Sequence, residues 1–195
     1  MIDSQVTKTS DDINSRIALR VRSLRTSLGL SLEGLAERSD VSRAMISLIE
    51  RGESNPTAVV LEKISTGLGV SLASLFEDTS SVPTPVSHAR DRKTWQDPDS
   101  GYLRCNISPP NFPSPIQIVE VTLPAGANVA YESRSQTRET HEQVWVLEGK
   151  MDVKIGETTH PLAKGDCLAF KLDCPTSFFN PGSKRCHYVV VIASL

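Results

Sequence analysis

The chain is 195 residues long, with 38% hydrophobic residues and a formal net charge of −2. That is enough for one large or two small domains with real cores, and no apolar run is long enough to span a bilayer. Residues 1–15, MIDSQVTKTSDDINS, carry no secretory-signal or lipidation pattern, so a cytoplasmic protein is expected. Cys105, Cys167, Cys174 and Cys186 lack the spacing of a zinc ribbon or a thioredoxin-like motif. In a reducing cytosol they are expected to be inert thiols.

Residues 1–11 are expected to be disordered. Ser10 or Asp11 then caps a helix bearing Ile13, Ile17, Leu19, Val21, Leu24 and Leu28, stopped by Gly29. Residues 31–52, SLEGLAERSDVSRAMISLIERG, read as two short helices joined by a tight turn. Ser31 caps the first, which turns Leu32, Leu35 and Ala36 inward. Ser39-Asp40 breaks it and Val41 plugs the corner. Ser42 caps the second, with Met45, Ile46 and Ile49 inward, and Gly52 supplies a left-handed end. Such a pair matches the helix-turn-helix that lays its second helix in the DNA major groove. Residues 13–52 hold seven basic residues, all arginine (16, 20, 22, 25, 38, 43 and 51), against four acids. Arginine forks suit phosphate and guanine. A fourth helix over 57–68 carries Val60, Leu61, Ile64 and Leu68, ended by Gly67 and Gly69. Ser71 caps a short fifth.

A linker follows at 79–93, with Pro83 and Pro85 among Ser and Thr. Beyond it the hydrophobic period changes to alternation. Strands are expected at 102–108, 116–123, 128–131, 143–147, 150–155, 167–170, 177–179 and 187–193, separated by Pro and Gly turns. The spacing implies a sandwich or barrel. The fold class is thus α+β in two domains: an all-α five-helix bundle over 12–78 and an all-β domain over 94–195.

The stretch VSRAMISLIERGESNP, residues 41–56, resembles the DNA-binding domain of the Cro/C1-type (XRE) repressors, and the likeness runs over about 13–76. It implies a double-stranded DNA operator as partner. Ser42, Arg43, Ala44 and Ser47 would face the groove, with Arg43 on guanine and Ala44 on a thymine methyl. Ser31, Arg51 and Asn55 would meet phosphate. The other reading of the bundle is a dimerisation or protein-binding module.

Glu142-Gln-Val-Trp-Val-Leu-Glu-Gly149 and Pro161-Leu-Ala-Lys-Gly-Asp166, the latter followed by Phe170, Pro175 and Asn180-Pro-Gly182, resemble the two signatures of the cupins. The resemblance implies a double-stranded jelly-roll barrel. A Cro-type headpiece before a cupin resembles a regulator architecture in which the barrel senses a small molecule. Metal-binding cupins have a His-x-His pair and a Glu in the first signature and a further His in the second. Glu142 matches the Glu. The histidine positions fall on Ser135 and Thr137, or Gln136 and Arg138, and on Thr176. No metal or other cofactor is therefore expected, unless a rearranged site uses His141 or His187. Gln136, Arg138, Glu142 and Thr176 are expected to line a pocket for a small polar organic effector, an amino acid or amine.

The resulting expectation is a cytoplasmic homodimeric transcriptional regulator, a repressor and not an enzyme. The alternatives are a metal-dependent cupin dioxygenase or isomerase with a regulatory headpiece, and a toxin–antitoxin or phage-type repressor that needs no ligand. Cys105 and Cys186, on segments that could be neighbouring strands, leave a redox-sensor reading open.

Overall fold

The computed structural model describes residues 3–77, 83–132 and 139–194, with side chains from residue 13 onward. The chain divides into two compact units. One holds the residues up to Pro98 together with Pro109–Phe112, and the other Asp99–Ser108 and Pro113–Leu195.

Among the described residues the first unit has four α-helices: α1 (Asp3–Ser27), α2 (Leu32–Ser39), α3 (Arg43–Glu50) and α4 (Ala58–Leu68). The fifth expected helix is a single turn of 3-10 helix, Leu72–Phe76, capped by Ser71. The chain turns extended at Glu77, which leaves too few residues for α-helical bonding. α1 starts at Asp3, well before the cap expected at Ser10 or Asp11. No Gly or Pro interrupts residues 3–27, so once nucleated the helix propagates. Ile13, Ile17, Ala18 and Val21 form its buried stripe, whereas Leu19 and Leu28 point to solvent. The four buried residues join Leu35, Ile46, Ile49, Leu61, Ile64 and Leu75 in the core of this unit.

Gly67 lies inside α4 and does not end it; Gly69, at φ 70°, does. A Cβ on Gly67 would come within 2.9 Å of the Ser39 Cβ, so glycine is needed for the close approach of α2 and α4.

The sequence places the second domain's start at residue 94, yet residues 94–98 group with the helices. Trp95, on the short strand β1 (Thr94–Gln96), is buried and meets Phe76 edge-on, with ring centroids 5.4 Å apart. Asp97 is also buried, and its Oδ1 accepts the Ala58 N–H at 2.7 Å, capping α4 alongside Thr57.

In the second unit, β2 (Leu103–Asn106), β3 (Ile116–Leu123), β5 (Thr140–Glu148), β8 (Cys167–Lys171) and β10 (Cys186–Ser194) form one antiparallel sheet in the order β2-β3-β10-β5-β8. β4 (Asn128–Tyr131), β6 (Lys150–Ile155), β7 (Thr158–Ala163) and β9 (Thr176–Phe179) form a second, ordered β4-β9-β6-β7. Val119, Val121, Val144, Val146, Met151 and Val153 are among the buried residues between them. β7 escaped the sequence reading because Pro161 lies within it. It is an edge strand, where a missing N–H is tolerated.

The two signatures act as fasteners. A Cβ on Gly149, at φ 85°, would come within 2.9 Å of the Arg185 carbonyl oxygen. Gly165 donates to the Val146 carbonyl at 2.8 Å, and Val146 donates back to that of Asp166 at 3.0 Å. Buried Asn180 donates through Nδ2 to the carbonyls of Leu123, Pro124 and Lys184 at 2.9–3.1 Å, tying the end of β9 to that of β3.

Replacing Asp97 with Ala should lower the stability of the helical unit by about 1–2 kcal/mol, the usual cost of a lost helix cap. Thermal unfolding of the full chain checks it; an unchanged midpoint would mean that Thr57 alone caps α4.

Candidate functional sites: a recognition helix and a polar barrel interior

The sequence 31–52 folds as read. Ser31 accepts from the Gly34 N–H at 3.0 Å and Ser42 from that of Met45 at 3.2 Å. Asp40, at φ 54°, closes α2, Val41 is buried in the corner, and Gly52 takes φ 70°. Ile46 and Ile49 anchor α3, with Met45 only partly covered. Ser42, Arg43 and Ala44 are exposed at its N-terminal end, and Ser47 is half-buried one turn on. Arg43 Nε lies 3.9 Å from Glu33, in a solvent-exposed pair weak enough to be exchanged for another anion. Exposed Arg51 donates to Ser47 Oγ and, at 2.8 Å, to Glu53. Asn55 is exposed in the following loop.

The seven arginines split into two sets. Arg16 donates to the Phe76 carbonyl at 3.3 Å. Arg20 reaches the Ser74 carbonyl and Glu77, both at 3.0 Å. Arg25 makes a two-pronged pair with Glu50, at 2.6 and 2.7 Å, and donates to the Leu30 carbonyl at 2.8 Å. These three hold the fold, while Arg22, Arg38, Arg43 and Arg51 remain exposed.

In the second unit Thr140, Glu142, Val144 and Val146 of β5 alternate inward. Glu142 pairs across the sheet with Ile192, as Val144 does with Val190. Burial pushes the Glu142 pKa up to about 7, against the opposing pull of Arg104. Thr176 is buried, its hydroxyl donating to the Cys174 carbonyl at 3.1 Å. Gln136 and Arg138 lie outside the described residues.

The same interior holds groups that the sequence reading missed. Arg104 is 7% exposed and shares a cross-sheet row with Val121 and Tyr188. The Tyr102 and Tyr131 hydroxyls lie 3.5 Å apart. Phe178 stacks on Tyr188, centroids 6.2 Å apart, and meets Tyr131 edge-on at 6.1 Å. Burial raises the pKa of both Tyr131 and Tyr188, so the phenols stay neutral. The available signal was alternation: Arg104 takes the buried position of β2, between Leu103 and Cys105.

These donors do not fit a transition metal, which needs imidazoles or several carboxylates. His141 is exposed and pairs with Glu139 at 3.1 Å, on the opposite face from Glu142. His187 alternates with buried Cys186 and Tyr188 and pairs with Glu120 at 2.7 Å. Neither histidine turns inward, which removes the rearranged site. No cluster of three or more metal-ligating residues occurs among the described residues. Cys105 and Cys186 are not on neighbouring strands, since β3 separates β2 from β10. Burial pushes the Cys186 thiol up to about 11, and neighbouring Glu148 adds to this, the reverse of an activated thiolate.

A capped helix pair presenting the start of its second helix, followed by a two-sheet barrel with a polar interior, defines a DNA-binding regulator with an appended cupin. Residues 21–75 match the HTH_3 (Helix-turn-helix) family model and residues 119–192 the Cupin domain model. The chain belongs to the XRE-type helix-turn-helix transcriptional regulators. It is 27% identical over 172 residues to the HTH-type transcriptional regulator SutR of Escherichia coli (strain K12), covering 88% of this chain and 91% of that protein. Its headpiece is 42% identical over 69 residues to the control protein C.MunI of Mycoplasma sp, covering 35% of this chain and 93% of that one. The crystal structure of an HTH_3 family transcriptional regulator from Vibrio cholerae matches with a TM-score of 0.73 and 28% identity, over 94% of this chain and 98% of that one. Among the described residues no helix is long and apolar enough to cross a membrane.

Glu142 yields a pH prediction. Its pKa is raised above the ordinary 4.5, so its contribution to stability is full below 4.5 and is lost as pH rises through about 7. The unfolding temperature should fall across that window, and Glu142→Gln should flatten the fall. An unchanged slope in the variant would place the carboxyl in water.

Proposed function

We propose that this regulator is a homodimeric, cytoplasmic repressor without enzymatic activity, binding an operator through α3 and sensing a small polar organic effector, such as an amino acid or amine, in its barrel. The observation that carries the reading is one chain bearing both an exposed recognition-helix start and a barrel interior lined with Glu142, Arg104 and tyrosines. The likeness to the Cro/C1-type repressors supports repression, and the relatives' names as transcriptional regulators support a non-enzyme. Arg43 is assigned to a guanine, Ser42, Ala44 and Ser47 to the groove, and Ser31, Arg51 and Asn55 to phosphate. An effector changes operator affinity only by favouring one arrangement of the protein over another.

Arg43→Ala should cost roughly 1–3 kcal/mol on the operator and much less on random DNA, measured by titration at fixed salt. Equal losses on both would reassign Arg43 to phosphate.

Support for the dimer lies on the outer face of the β2–β8 sheet. Trp145, 50% exposed, pairs across strands with Val189, and Val191 pairs with Ile118. Val190 and Ile192 of the same run face inward and are core. Two-fold dimers read paired half-sites, which one headpiece cannot. Trp145→Glu should shift the chain toward monomer in light scattering at micromolar concentration and weaken binding to a two-half-site operator. A dimer of unchanged stability would place the interface elsewhere.

A further inference from the structure

We propose that Glu33 is a positioning residue for Arg43: its carboxylate aims the guanidinium at the guanine and keeps the start of α2 from taking DNA phosphates indiscriminately. This rests on the assignment of Arg43 to a guanine and adds a specificity residue outside the recognition helix.

The two side chains come from different helices. Glu33 is the second residue of α2, just behind the Ser31 cap, and Arg43 is the first residue of α3. The turn through Asp40 and buried Val41 brings Glu33 Oε2 to 3.9 Å from Arg43 Nε. The side chains are 67% and 66% exposed, so the pair belongs to the surface and the core does not require it. The carboxylate stands on the Nε edge of the guanidinium. Among the described residues no hydrogen bond engages the two Nη nitrogens. Those are the donors that an end-on fork presents to guanine O6 and N7.

In water such a pair is worth little. A docked duplex displaces that water, and the same two charges then attract more strongly. Arg43 is long and mobile, and it loses freedom when it binds a base. A carboxylate that already narrows its arrangements lowers that cost. A phosphate meets the opposite effect. The start of a helix attracts anions, and Ser31 is assigned to a phosphate there. Glu33 puts a negative charge two residues away, which repels a duplex held through phosphates alone. A duplex that offers a guanine gains the Arg43 contact against the same repulsion. Specificity is a difference of affinities, so weakening the wrong complex raises it as strengthening the right one does.

The test takes a duplex selected by the full chain from a random pool, a scrambled duplex of equal length, and single-base-pair variants of the selected one. Affinities are titrated at fixed salt for the unaltered chain, Arg43→Ala, Glu33→Gln, Glu33→Asp and Glu37→Gln. The base pair whose substitution ceases to matter in Arg43→Ala is the one that Arg43 reads. Glu33→Gln should tighten binding to the scrambled duplex. Its preference for the selected duplex should fall about threefold or more, with the loss concentrated at that base pair. Glu33→Asp keeps the charge and should lose less. Glu37, exposed one turn further along α2, controls for charge alone: Glu37→Gln should shift both duplexes alike. In the Arg43→Ala background, Glu33→Gln should change the preference no further. Every substituted side chain is exposed, so the variants keep the fold, which circular dichroism checks. An unchanged preference in Glu33→Gln, or the same fall in Glu37→Gln or without Arg43, would overturn this inference and leave the guanine assignment standing. Equal losses on both duplexes in Arg43→Ala, or no preferred duplex from the pool, would overturn both.

Discussion

The placement of the recognition helix depends on the ion pair between Arg25 and Glu50. Glu50 ends α3, where a negative charge opposes the helix dipole. Left alone it would weaken the helix that it terminates. Arg25 reaches across from α1 and takes both carboxylate oxygens, with the pair 13% and 7% exposed. It also donates to the Leu30 carbonyl, so one guanidinium joins α1, the chain entering α2 and the end of α3. Removing one partner of so buried a pair typically costs about 3–5 kcal/mol. Anchored at its C-terminal end by this pair and along its length by Ile46 and Ile49, α3 has its N-terminal end free for DNA.

That division of labour changes what the charge count means. Seven arginines against four acids suggest a uniformly basic headpiece. Three of the seven instead bond to backbone carbonyls and carboxylates of their own unit. The same economy applies to Asp97 and Trp95, which lie beyond the linker in sequence yet complete the helical unit.

The barrel shows how a family signature can persist while its chemistry changes. Gly149, Gly165 and Asn180 make close contacts or backbone bonds that hold strands together whatever lies inside. They constrain the frame and not the ligand. Glu142 keeps its inward position on β5. Imidazole is missing from the aligned positions, and the interior is filled by a guanidinium, phenols and a hydroxyl. Such a lining offers charged, phenolic and hydroxyl groups in place of the imidazoles that hold a metal.

Local features were determined by the sequence alone: the caps at Ser31 and Ser42, the left-handed Gly52, the inward Ile46 and Ile49, and most strands. Each depends on residues within a turn or two of one another, where propensity and periodicity act directly. Glu142 was legible through its place before Gly149 in the stretch that resembles the first cupin signature. The tertiary structure alone decided the rest. Arg104, Tyr131, Glu142 and Tyr188 are spread over more than eighty residues, and only the strand order and the packing of the two sheets bring them together. β7 was hidden by Pro161, whose tolerance depends on an edge position that no local pattern reveals. Whether an arginine holds the fold or faces solvent depends on whether a carboxylate or carbonyl from a distant segment stands beside it, and long-range packing places that partner.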